Sequence, residues 1–206
     1  MTAKLYKLFP MPLYTNLLDI PDDQRDTIFK MEFERMPPDN GDVTVSRYVL
    51  RDKRLEPLLD MIQKEFDEFV YNRLGVSRDI EFYMTNSWSI RHNPGDWAQE
   101  HDHKNSIISG VLYLKADEDS GDIHFLKPHW MSNIFPQMFM VPFDNQNDIS
   151  ANTWTFRPQT GQLIFFPSNL PHSVDVSKST DVRYVLAFNF FMRGTLGQLE
   201  SVLELK

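Results

Sequence analysis

The sequence predicts a mainly β fold, a sandwich or barrel braced by helix. Three observations carry that expectation. After Gly75 the chain falls into eight β-rich segments within about 110 residues, each bounded by turn residues. One long amphipathic helix precedes them. Aromatic residues make up 13% of the chain, 16 of them Phe, a composition suited to a β-rich interior. The 206 residues suit one domain, with 1–78 as helical support, 79–195 as the β core and 129–152 as an insertion.

The first 45 residues are short apolar pieces broken by Pro10, Pro12, Pro21 and the turn cluster Pro37-Pro38-Asp39-Asn40-Gly41. Pro21 followed by Asp22 and Asp23 starts a short helix, expected over Asp22 to Phe33. Leu55, Leu58, Leu59, Ile62, Phe66, Phe69 and Val70 recur at steps of three and four, which sets a helix over 55–74 with Gly75 as its stop. Pro57 falls in its first turn, where the missing N–H costs nothing. The expected strands are 80–84, 87–91, 106–115, 122–126, 153–157, 162–166, 172–176 and 183–191. Residues 129–152 are too long for a hairpin loop and suit a lid over a site.

Charge and composition exclude several functions. A formal net charge of −8 leaves no basic surplus for duplex nucleic acid as an electrostatically held partner. The absence of cysteine removes disulfide scaffolds, zinc–thiolate sites, iron–sulfur clusters and thiol nucleophiles. Any metal must then be held by histidine and carboxylate. No apolar run approaches the roughly 18 residues of a bilayer span, and the first ten residues lack a signal core. A cytoplasmic protein that is not bound to membrane is expected. Dinucleotide, Walker, serine-elbow and zincin motifs are absent. The acidic run Asp117-Glu118-Asp119-Ser120-Gly121-Asp122 lacks calcium-loop spacing and suits a solvated turn. Arg47, Arg51, Lys53 and Arg54 form a basic cluster that suits a solvated face.

The six histidines stand at 92, 101, 103, 124, 129 and 172. His101 and His103 are two apart at the expected start of a strand, so both imidazoles project from one face while Asp102 points the other way unless a bulge intervenes. His172 opens another β-rich run after the Pro167-Ser168-Asn169-Leu170-Pro171 turn and is placed to bring in a third imidazole. Two readings stand for the pair, metal ligands or hydrogen-bonded structural residues. His92, His124 and His129 have no partner spacing and suit structural roles. Arg183 opens the apolar strand Tyr184-Val185-Leu186-Ala187-Phe188, where a buried cation needs an anionic partner. Trp97, Trp130 and Phe135 are aromatics for packing or for a lid.

The order Asn86-x-Trp88, Gly95, His101-x-His103, Ser109-Gly110-Val111-Leu112-Tyr113, Gly161 to Pro167, His172 and Arg183 to Asn189 resembles the iron(II)/2-oxoglutarate-dependent oxygenases. It is most similar to a branch of that superfamily with His-x-His. The resemblance covers about residues 83–191. It implies a double-stranded β-helix, the cupin-like jelly roll, with iron(II) and 2-oxoglutarate as cofactors. It further implies that His101, His103 and His172 bind iron and that Arg183, eleven residues beyond His172, pairs with the far carboxylate of 2-oxoglutarate. Asn86 and Tyr113 are implied as further cosubstrate contacts. The implied reaction is hydroxylation of a substrate with release of succinate and carbon dioxide.

The chain departs from the superfamily in carrying His103 where Asp or Glu is usual. Three outcomes are open: a three-histidine iron site, a bulge that swings Asp102 inward in place of His103, or a site that binds metal without oxygenase chemistry. A cupin-like three-histidine enzyme without 2-oxoglutarate, or a non-catalytic binding module, are the rival functions. The expected partners are a small molecule or a protein side chain as substrate, and a second copy of the chain.

Overall fold

The computed structural model describes residues 2–37, 40–128, 131 and 141–206. Residues 129, 130 and 132–140 of the expected insertion, with His129, Trp130 and Phe135, lie outside the described residues; 141–152 carry no strand. In chain order the elements are β1 (Tyr14–Leu17), α1 (Asp22–Phe29), β2 (Phe33–Arg35), β3 (Asp42–Thr44), α2 (Glu56–Asp67) and β4 (Glu81–His92). There follow β5 (Ala98–His101), β6 (Ile108–Lys115), β7 (Ile123–Leu126), β8 (Thr153–Phe156), β9 (Gln162–Pro167), β10 (His172–Val174), β11 (Arg183–Leu196) and β12 (Leu203–Leu205). The larger sheet runs β1-β9-β6-β11-β4-β3-β2, with β12 added beside β11, and the smaller runs β5-β10-β7-β8. The paired strands are antiparallel throughout, and the two sheets form a jelly roll with helices behind the larger one.

Helix α2 follows its spacing. Leu58, Ile62 and Phe66 are fully buried, and the apolar stripe continues through Phe69 and Val70. Beyond Asp67 the chain widens into a π-helical segment, Glu68–Arg73, before Gly75 turns it at φ +72°. Helix α1 stops at Phe29 rather than Phe33, because Phe33–Arg35 pairs with β3. The first half therefore gives the large sheet three strands as well as its helical backing. Between β4 and β11 the register passes from Asn86↔Asn189 to Met84↔Phe190, leaving Thr85 as a bulge. That bulge lets one twelve-residue strand replace the two expected over 80–91.

The central strands of the large sheet are buried on both faces, which is why they read as continuous apolar runs. On β11, Leu186, Phe188 and Phe190 pack with Leu112, Leu114, Leu163 and Phe165 against α2. Phe66 stacks on Phe190 with ring centroids 3.8 Å apart. The alternate residues Val185 and Ala187 turn inward with Val111, Tyr113, Ile164 and Phe166, toward Ile123 and Phe125 of the small sheet. The space between the sheets, closed behind by this second core, holds the site.

Candidate metal centre

His101 and His172 are directly opposed across the β5–β10 ladder. His103 lies just past the end of β5, where its backbone N–H donates to the Ser168 carbonyl at 2.8 Å. His101 thus ends a strand where the sequence suggests the start of one, yet the two-residue step still sends both imidazoles to one place. His101, His103 and His172 each offer one nitrogen, and the three nitrogens lie within 4.8 Å of one another. Asp102 is outside this group. Its carboxylate pairs with Lys104 at 2.6 Å, and it is His103 that stands with the other two imidazoles.

The proton positions follow from the partners. His101 Nδ1 is 2.8 Å from the Gln99 carbonyl, His172 Nδ1 is 3.0 Å from the Leu170 carbonyl, and His103 Nδ1 is 2.7 Å from Asn189 Oδ1. Each of these oxygens only accepts, so each ring carries its proton on Nδ1 and keeps the Nε2 lone pair free. Asn189 Oδ1 also accepts from the Ser109 hydroxyl, itself 2.8 Å from Ser168 Oγ, which fixes the amide behind His103. Phe125 and Phe166 wall the His172 ring, at 5.9 and 4.8 Å between centroids. Burial, and after it the neighbouring His101, pushes His172 down to about 3; burial also lowers His103. Both are neutral near pH 7, as metal ligands must be.

A cavity of about 380 Å³ opens from the three histidines. Trp88, Ile90, Val111, Ile123, Val174, Val185 and Ala187 supply its apolar wall, and Arg183 and Tyr113 also line it. Arg183 is 3% exposed, and among the described residues no carboxylate pairs with it. Its Nη1 donates to the carbonyls of Ser120 and Gly121 at 3.0 and 3.1 Å, and its Nη2 donates to His92 Nδ1 at 2.6 Å. Its Nε is buried with no hydrogen-bond partner among the described residues. The acidic turn expected only to meet solvent therefore points two carbonyls at a buried cation.

Two of the expected site residues part ways here. Tyr113 sits beside Arg183, with the guanidinium 5.9 Å from its ring centroid. Asn86 is not among the cavity-lining residues; its Oδ1 accepts from the Thr85 hydroxyl at the bulge. Trp97 is also off the cavity wall, and Trp88 takes the aromatic place, 5.7 Å from the His103 ring. Sequence reasoning missed His92 and Asn189 as site residues. Both face their partners across strands, and spacing along the chain carries no signal of that. Of the basic cluster, Arg47 pairs with Glu34, Arg51 stacks over Tyr48 and Arg54 pairs with Asp52, away from the cavity.

A family model described as "Putative 2OG-Fe(II) oxygenase" matches residues 86–189, half of the chain, and the match takes in all three histidines and Arg183. The chain belongs to this family. Iron(II) and 2-oxoglutarate are accordingly the cofactors of the oxygenase. A comparison with curated proteins finds no match. Among solved structures, the oxygenase resembles a 2OG-Fe(II) oxygenase-family oxidoreductase from Burkholderia pseudomallei, with TM-score 0.54 and 15% identity over 80% of this chain and 74% of that one. It also resembles a Pseudomonas putida prolyl-4-hydroxylase, with TM-score 0.54 and 16% identity over 89% and 94% of the two chains. HygX from Streptomyces hygroscopicus, solved with nickel and 2-oxoglutarate, matches with TM-score 0.57 and 7% identity over 87% and 82%. At these identities the likeness is one of fold. Among the described residues of the oxygenase no helix is long and apolar enough to cross a membrane.

The buried histidines give a pH dependence. His92 and His172 are both pushed down to about 3, in each case first by burial. In the unfolded chain a histidine titrates near 6.5, so between about pH 6.5 and 3 the unfolded state takes up protons that the native state refuses. Their contribution is complete above pH 6.5 and falls as pH drops, by about 1.4 kcal/mol per pH unit for each histidine. Urea unfolding of the metal-free protein is expected to give a lower midpoint at pH 5 than at pH 7. Equal midpoints would mean that these rings are not held neutral.

Proposed function

We propose that the oxygenase is an iron(II)- and 2-oxoglutarate-dependent dioxygenase that hydroxylates its substrate, with His101, His103 and His172 as the iron ligands. The observation that carries this reading is the pairing of two features in one cavity: three imidazoles with free Nε2 lone pairs, and a buried arginine without an anionic partner. The donor set fits iron(II). Three imidazole nitrogens would hold the metal and leave the rest of its coordination to the cosubstrate and dioxygen. The arginine fits the far carboxylate of 2-oxoglutarate, because three of its five N–H groups are spent and two are left to donate.

When bound, iron(II) and 2-oxoglutarate supply oxidation by dioxygen, with succinate and carbon dioxide as coproducts. The chain's own residues bind, orient and exclude water. Gln99, Leu170 and Asn189 hold the imidazole rings, each through an oxygen at Nδ1. Arg183 anchors the cosubstrate's far end, and Tyr113 lies beside it. The apolar side chains of the wall keep the cavity dry. Since imidazole ligands bring no charge to a metal, the cosubstrate dianion rather than a protein carboxylate would offset the charge of the iron. In the proposal Asn86 has no contact with cosubstrate. The volume accommodates a cosubstrate and the reacting end of a small molecule or a protein side chain.

The test is an anaerobic titration of the metal-free protein with iron(II) and then 2-oxoglutarate, followed by visible absorbance. A charge-transfer band that needs both components is the expected result. Iron binding without the band would reject the cosubstrate and leave a three-histidine metal site of another kind. No iron binding would reject the reading altogether.

A further inference from the structure

We propose that His92 is a positioning residue for Arg183, and that it sets the oxygenase's preference for a 2-oxo acid ending in a second carboxylate. The inference rests on the function proposed above and assigns a role that neither the metal ligands nor the arginine fills.

His92 and Arg183 are directly opposed in the β4–β11 ladder, and both line the cavity. The Nη2–Nδ1 hydrogen bond of 2.6 Å ties one end of the guanidinium, and the Ser120 and Gly121 carbonyls tie Nη1. With these three bonds made, the N–H of Nε and one N–H of Nη2 are the donors left. His92 thus decides which way the unspent donors of the fork are turned.

The residue type suits the task. An aspartate or glutamate at this position would pair with Arg183 and compete with the incoming carboxylate. A neutral imidazole accepts one hydrogen bond and leaves the positive charge uncompensated. Its tautomer is set by the arginine itself, since a guanidinium only donates, so Nδ1 must accept and the ring proton lies on Nε2. Burial, and after it the adjacent Arg183, keeps the ring neutral. Its orientation is fixed by Gly41, which holds φ +83° and on which a Cβ would collide with the His92 ring and the Arg91 carbonyl. The imidazole is therefore wedged between a glycine turn and the guanidinium, at 2% exposure.

The experiment measures binding by calorimetry to the manganese(II)-loaded protein, which needs no turnover. Two ligands are compared, 2-oxoglutarate and 2-oxopentanoate, the same chain without the second carboxylate. Wild type is expected to prefer 2-oxoglutarate by about a hundredfold, as a buried charge pair requires. In His92→Leu that ratio should fall at least about tenfold, through weaker 2-oxoglutarate binding alone, with manganese affinity unchanged. His92→Asn, whose Oδ1 takes the place of Nδ1, should restore most of the ratio. His92→Gln carries its acceptor one methylene further out and should behave as His92→Leu does; it serves if the leucine variant does not fold. A merely structural role would weaken both ligands together and leave the ratio standing. A ratio within twofold of wild type in a folded Leu or Gln variant would overturn the role of His92 while leaving the cosubstrate assignment intact. Failure of wild type to bind 2-oxoglutarate would overturn the cosubstrate assignment, and this inference with it.

Discussion

Replacement of His172 by alanine is expected to abolish tight metal binding and, with it, every activity that depends on iron. His172 is 3% exposed and faces His101 across the ladder, and among the described residues its nitrogen is one of three offered to the metal. Among the described residues no carboxylate belongs to this group, and Asp102 pairs with Lys104 instead. A fall in iron(II) or manganese(II) affinity of at least about a hundredfold should follow, more than the loss of a residue that merely supports a ligand would cause. The same variant separates binding from folding. A metal held only by the native state raises stability by about 2.7 kcal/mol at a hundred times its Kd. Wild type should gain thermal stability on adding manganese(II), and His172→Ala should gain none. An alanine variant that still gains stability with metal would place the metal elsewhere.

The second large effect is expected at Arg183. Replacing it with methionine keeps much of the volume but removes the buried charge, and 2-oxoglutarate binding should weaken by about 2–5 kcal/mol, the usual range for truncating a buried charge pair. Manganese affinity should be preserved, because Arg183 has no hydrogen bond to any of the three histidines. Arg183→Lys should rescue little. A single ammonium has three donors, too few to satisfy Ser120, Gly121 and His92 and still reach a ligand. Calorimetry on the manganese-loaded variants checks both statements. Near-wild-type 2-oxoglutarate affinity in Arg183→Met would make the arginine a structural residue only.

What the sequence made legible was whatever could be read along one strand or one helix. The α2 stripe of Leu58, Ile62 and Phe66 and the two-residue step from His101 to His103 are local patterns, and both describe the molecule. Arg183 stood out because a cation opening an apolar strand needs a reason. The misses share a different cause. Strands β2, β3 and β5 have only three or four residues, too few for alternation to show. The break expected between 84 and 87 vanished because a bulge at Thr85 depends on β11, a hundred residues away. His92 beside Arg183, and Asn189 behind His103, acquire their meaning through cross-strand contacts alone.

The parity of β11 has a consequence for how this protein can change. Positions 183, 185 and 187 line the reaction chamber, while 186, 188 and 190 belong to the helix-backed core. Stability and chemistry are thus written on one strand in two interleaved alphabets, each read by a different neighbour. Residues on opposite faces of a sheet share few partners, so substitutions in one set should combine nearly additively with those in the other. New specificity can then be acquired at odd positions without renegotiating the fold. An insertion of a single residue in this strand would exchange the two texts, and lose both at once.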